Sequence, residues 1–225
     1  RSIVPSMVQV LQQVIAANDE KSAIQVFDVF NLLLATESSL ISKYLGDLIH
    51  FMLNDIAAQT SLDDEFRGPA LQFLISAVRS KKMKIQALKL GPVLTTTAIQ
   101  IAANYYRENP EDLDDEDDDD DESNPGTLSL QLIDFLSSTL PPSQAMGPLL
   151  SALPNYVKSA DPAERKAGFL ALAMAVEGSP DYVASQIEHI LPFVIEGLND
   201  PEISVKVGAL QCLYFLSSEL RDTVS

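Results

Sequence analysis

Two stretches of this chain follow one pattern. Leu153-Pro154-Asn155-Tyr156-Val157 is followed by Asp161-Pro162 and then by Lys166-Ala167-Gly168-Phe169-Leu170. Leu191-Pro192-Phe193-Val194-Ile195 is followed by Asp200-Pro201 and then by Lys206-Val207-Gly208-Ala209-Leu210. The Asp-Pro steps lie 39 residues apart, with one residue of slippage between the runs that follow them. Further back, Arg67-Gly68-Pro69-Ala70-Leu71-Gln72 echoes Lys206-Val207-Gly208-Ala209-Leu210-Gln211. Aspartate accepts hydrogen bonds from the free amides that open a helix, and proline suits the first turn because its missing N–H is not needed there. Small residues such as Ala167, Gly168 and Gly208 let neighbouring helices approach.

A period near 40 residues, each unit holding two helices, marks a HEAT-type array. The apolar face of one helical pair is buried only by the next, so the core runs along the array. At this period the 225 residues make about five repeats. The expected fold is all-α, a right-handed superhelical α-solenoid. Apolar spacings of three and four elsewhere predict helices near 4–17, 20–36, 39–59, 63–79, 82–107, 127–139, 142–158, 161–177, 181–198 and 201–220. Gly91-Pro92 should kink or split the fifth. The layout reads as repeats over 1–107, an acidic insert over 108–126 and repeats over 127–225, in one continuous solenoid.

Charge is concentrated. The chain carries 32 acids against 15 bases, a net of −17. Eleven of the acids fall in Glu111-Asp112-Leu113-Asp114-Asp115-Glu116-Asp117-Asp118-Asp119-Asp120-Asp121-Glu122, which has no base; the remainder nets −6. Such a balance disfavours general nucleic-acid binding and favours basic partners. Like charges at that density repel and raise the local concentration of cations. The plain alternative is a solubilising insert. Calcium binding is disfavoured, since the run lacks a loop glycine and EF-hand spacing.

The other candidates point to structure more than to chemistry. Asp161 and Asp200, with Arg165, Lys166 and Lys206, should bond between adjacent repeats. Arg79, Lys81, Lys82, Lys84 and Lys89 span a helix junction. They read as solvated helix-end charges ahead of the other reading, a contact for an acidic partner or a latch for the acidic run. His50 and His189 lack metal-pair spacing. Cys212 lies on an apolar helix stripe and reads as core. A single cysteine excludes an internal disulfide framework. Gly68, Gly91, Gly168 and Gly208 read as packing or kink positions, with no phosphate-cradling loop among them. Most phenylalanines are core. Nothing implies a cofactor, a metal or catalysis, so the expected function is binding. No apolar run approaches the roughly 18–20 residues of a membrane span. The chain opens with Arg1, not Met, and reads as a piece of something longer.

The insert and its surroundings resemble the importin-β (karyopherin-β) family of nuclear transport receptors. Members carry an acidic loop between the paired helices of one mid-array HEAT repeat. Here the run follows Ala102-Ala103-Asn104-Tyr105-Tyr106-Arg107 and precedes Leu128-Ser129-Leu130-Gln131-Leu132-Ile133-Asp134. Phe27-Asp28-Val29-Phe30-Asn31-Leu32-Leu33 and Leu45-Gly46-Asp47-Leu48-Ile49 look like the repeats before that loop. The resemblance covers essentially the whole chain, and the branch importing ribosomal proteins and core histones matches best. It implies a receptor that wraps basic cargo, shuttles between cytoplasm and nucleus, docks phenylalanine-glycine nucleoporins between outer helices, and releases cargo on binding Ran-GTP. Glu111, Asp112, Asp114, Asp115, Glu116, Asp117, Asp118, Asp119, Asp120, Asp121 and Glu122 would then meet basic surfaces of Ran or cargo. The rival readings are a non-transport HEAT scaffold or adaptor and an acidic histone chaperone.

Overall fold

The computed structural model describes residues 3–36, 39–110 and 123–223. Among these residues every regular element is a helix. They divide into two compact units, Arg1–Leu90 and Gly91–Ser225.

In the first unit α1 (Ile3–Ala16) pairs with α2 (Glu20–Ala35), and α3 (Ser39–His50) runs on through a π-helical segment, Phe51–Ala57, that packs on α4 (Asp64–Ser80). The π register shows in the amide of Ala58, which donates to the Leu53 carbonyl at 2.9 Å. Arg67 reaches back from α4 and donates from Nε to the Ala57 carbonyl at 3.2 Å. It is 2% exposed, so this repeat position holds a buried base. α2 also packs on α4, where Phe30 and Phe73 meet edge to face, 6.1 Å between ring centres. That contact stacks one pair on the next, as a repeat array requires.

The chain turns at α1 through Asn18. Its φ is 51°, its amide donates to Ile15, and the Asp19 amide donates to Val14. This is a Schellman cap, and asparagine tolerates the left-handed region better than most side chains. Asp19 then accepts from the Ser22 amide to open α2. A short α5 (Lys82–Ala87) closes the unit.

The second unit contains α6 (Gly91–Glu108), α7 (Pro125–Thr139), α8 (Met146–Val157), α9 (Pro162–Gly178), α10 (Pro180–Ser185), α11 (Ile187–Leu198) and α12 (Ile203–Thr223). α6 packs on α7, α8 on α9 and α11 on α12, while α7, α9 and α12 stack in series. With the two pairs of the first unit this gives five helical pairs among the described residues, matching the expected repeat number.

The helix read over 82–107 is split at Leu88–Leu90, as Gly91-Pro92 implies, and Pro92 stands in the first turn of α6, where its missing amide hydrogen leaves no bond unmade. Another element departs from the sequence reading. The helix expected over 181–198 breaks at Gln186. There the Ser185 hydroxyl donates to the Tyr182 carbonyl at 2.6 Å, competing with the backbone ladder. Gly168 is a close approach, since a Cβ there would stand 2.9 Å from the Tyr156 Cβ. Gly208 is not, because its nearest neighbour would be 3.4 Å away. Gly197 carries the tight contact instead, against the Phe169 ring.

Candidate protein-binding site

The eleven acids of 111–122 lie outside the described residues. What is described is the stem from which they leave and to which the chain returns. α6 and α7 pack directly. Tyr105 lies against Gly126, where a Cβ would stand 3.0 Å from the ring Cγ, so only glycine lets the two helices approach this closely. Asn124 opens α7 by accepting from the Thr127 amide at 2.8 Å, with Pro125 in the first turn. The acidic run therefore connects the two helices of one pair.

Next to the stem, α6 is tied to α9. Arg107 donates from Nε to Asp161 Oδ2 at 2.6 Å and from Nη2 to Glu164 Oε1 at 2.8 Å. The bond to Asp161, with the charges of Asp161 and Glu164, holds the guanidinium pKa above its ordinary value against the opposing effect of burial. Asp161 also caps α9 by accepting from the Ala163 amide. Lys166 Nζ sits 4.8 Å from the centre of the Tyr106 ring. It is 7% exposed, so the cation is largely desolvated where it meets the ring face.

The same device recurs one step on, where Arg165 donates to both oxygens of Asp200. Burial alone would raise the Asp200 pKa. The Arg165 bonds, the Glu202 amide and the Lys206 charge outweigh it and hold the carboxyl below the usual range. The expectation that these aspartates and bases bond between repeats is met for Asp161, Asp200 and Arg165. Lys206 is exposed and contributes only as a nearby charge. Arg107, the partner of Asp161, was read from the sequence only as the end of a helix.

Reading the sequence also missed a carboxylate pair. Asp134 on α7 is half-buried, and burial followed by the negative charge of Glu177 on α9 raises its pKa. The two lie 43 residues apart, close to the repeat period, and that register is the signal that could have found them. Gly178 follows Glu177 and fits against Ser137 and Asp134; a Cβ there would stand 2.8 Å from the Asp134 carbonyl oxygen. Among the described residues no cluster of three metal-ligating side chains occurs. Burial pushes the Cys212 thiol up to about 12, far from a nucleophile's range.

The comparisons with known proteins bear on this geometry. No family model matches the chain. The "Probable importin subunit beta-4" of Schizosaccharomyces pombe is 39% identical over all 225 residues. Over its whole length the chain is thus similar to an importin subunit. Importin-4 of Mus musculus is 29% identical over 233 aligned residues, again covering 100% of the chain. The chain spans about a fifth of these relatives, 20% and 21% of their lengths. The fold is that of the Kap121p α-solenoid. A crystal structure of Kap121p bound to Pho4p superposes with a TM-score of 0.85 at 22% identity, covering 96% of this chain and 22% of that one. Kap121p bound to RanGTP gives 0.84 at the same identity and coverage.

Proposed function

We propose that this chain is the acidic-loop segment of a nuclear import receptor. It would carry basic cargo, histones and ribosomal proteins among them, through the nuclear pore and release it on binding Ran-GTP. Residues 111–122 meet basic surfaces of Ran or of cargo, and the receptor shuttles between cytoplasm and nucleus. The repeats before and after the loop, 1–107 and 127–225, form one solenoid that presents it. The mechanism is binding without catalysis.

The observation that carries this reading is the placement of negative charge on α7. The helix receives the acidic run at its start and holds Asp134 further along, beside Glu177 of α9. A lysine of a cargo segment laid across α7 and α9 would relieve the repulsion between those carboxylates. The related structures include Kap121p bound to RanGTP, to Pho4p and to Nup53p. They also include a Kap121p variant in which three acids, spaced 43 and 42 residues apart, are replaced by lysine. Asp134, Glu177 and Glu219 of α12 repeat both intervals.

The test is a titration of the chain with a lysine-rich cargo peptide and with GTP-loaded Ran at two salt concentrations. It compares the wild type, a variant lacking 111–122, and the Asp134→Lys/Glu177→Lys variant. Peptide binding that falls in the double variant, and Ran-GTP binding that weakens with salt and with loss of the run, supports the proposal. Peptide binding indifferent to both changes, with no GTP-dependent response, overturns it in favour of a scaffold or a chaperone.

A further inference from the structure

The basic cluster at the junction of α4 and α5 is not absorbed by this reading, and the plain account of it as helix-end charge covers most of its residues but not their setting. Helix-end lysines are favourable at a C-terminus, where the peptide dipoles present negative charge. Arg79 meets that condition in the last turn of α4. Lys81, the C-cap of α4, and Lys84, in the last turn of α5, meet it too, whereas Lys82, the first residue of α5, does not. Lys89 follows the C-cap of α5, where its charge is favourable but its backbone conformation is not. Its φ is 54°, its amide donates to Gln86, and the Leu90 amide donates to Ile85. It occupies the left-handed position of a Schellman cap, where glycine or asparagine is the low-cost residue. Among the described residues no ion pair neutralises Lys81, Lys82, Lys84 or Lys89.

Apolar side chains sit among these cations. Met83 is 70% exposed and Leu88 is 42% exposed, while Ile85 anchors α5 from beneath. On a helix Met83 and Ala87 lie opposite Ile85 and share the outer face, with Lys82, Lys84 and Leu88 around them. Leu88 rests on α3 at Gly46, whose Cβ would be 3.5 Å from its Cδ1. The result is a solvent-facing apolar centre among four lysines that no ion pair neutralises among the described residues, on a chain of net charge −17.

We infer that residues 81–89 form a docking surface for an acidic peptide segment of a partner protein that carries one or two apolar side chains. The charge complements the lysines, and Met83 and Leu88 take the apolar residues. A nucleic acid fits less well. The patch offers no aromatic ring for stacking, and the acidic body around it repels a long polyanion. The inference does not depend on the import reading.

The test measures fluorescence anisotropy of a short labelled peptide rich in glutamate with two phenylalanines, titrated with the whole chain. A peptide with serine for phenylalanine, a short duplex DNA and phosphatidylserine vesicles run beside it. The expected result is saturable binding that weakens with salt, drops about tenfold or more in Lys82→Glu/Lys84→Glu, and drops severalfold in Met83→Ser and with the serine peptide. Lys82→Glu/Lys84→Glu should keep a melting temperature near wild type, since the gain at position 82, first in α5, offsets the loss at position 84 in its last turn. Lys89→Gly separates fold from function most directly, raising the melting temperature while weakening the peptide. Peptide affinity unchanged in the lysine variants overturns the inference. So does equal affinity for the serine peptide, or tighter binding of DNA or vesicles through the same lysines.

Discussion

Arg165 grips Asp200 with two hydrogen bonds, 2.7 Å from Nε and 2.9 Å from Nη2, across the step from α9 to the start of α12. The pair is nearly dry, with side chains 12% and 9% exposed. The Arg107–Asp161 pair has the same chemistry at 46% and 30% exposure. Removing one partner from a desolvated pair strands the other charge, whereas an exposed pair returns both charges to water. Arg165→Ala should therefore cost about 2 kcal/mol, and Arg107→Ala about 0.5 kcal/mol. Urea unfolding of the two variants at neutral pH checks the ordering.

The Arg165 effect should also depend on pH. The folded Asp200 pKa is depressed, so its contribution is complete above the unfolded value near 3.8 and is lost as pH falls through the lower folded value. The gap between wild type and Arg165→Ala should shrink in acid below that point. A gap that stays constant down to pH 2 would mean that Asp200 is not the partner that matters.

Gly126 tests the stem of the acidic run. A methyl there drives into the Tyr105 ring, and α6 and α7 must part. Gly126→Ala should destabilise by about 1–3 kcal/mol, as overpacking does. Tyr105→Leu in the same chain should restore part of the loss, which a thermal melt of the double variant reads. Intrinsic propensity predicts the opposite sign, because alanine favours a helix over glycine.

The repeat pattern was legible because its chemistry is local. Asp161-Pro162 opens a helix wherever it stands, and Phe169 or Leu170 must be buried once the helix forms. The split ahead of Gly91-Pro92 was legible from the proline. The break at Gln186 was less so, because it turns on a serine hydroxyl bonding back to Tyr182, which leaves the apolar period unchanged. Of the candidate site, the interrepeat aspartates were readable from their capping positions. Arg107 was not, because its partners lie 54 and 57 residues away and nothing local marks them. Asp134 and Glu177 stayed hidden for the same reason.

Cys212 is wholly buried and its thiol is held at about 12, so at pH 8 roughly one molecule in ten thousand carries a thiolate there. Iodoacetamide should label the native chain only through opening of α12. Labelling should accelerate steeply in urea, and Arg165→Ala, which loosens the same step, should label faster than Arg107→Ala. Rapid labelling of the wild type in buffer would show that α12 is not held as described.

Asp134 is where stability and function should part. Burial and the Glu177 charge raise its folded pKa, so the ionised carboxylate opposes folding. The sign is opposite to that of Asp200: stability is highest below the unfolded value near 3.8 and is lost as pH rises towards the raised folded value. Asp134→Asn should therefore stabilise the chain at neutral pH. The gain should stay under about 1 kcal/mol, since the group is only half-buried and water screens it, and it should vanish below pH 4. Under the cargo proposal the same substitution weakens the lysine-rich peptide, because a neutral amide attracts an ammonium less than a carboxylate does. A variant that is more stable and binds as before would leave the carboxylate pair unexplained and remove its role in binding. One that is more stable and binds less would show that the chain keeps a destabilising charge in place for its partner.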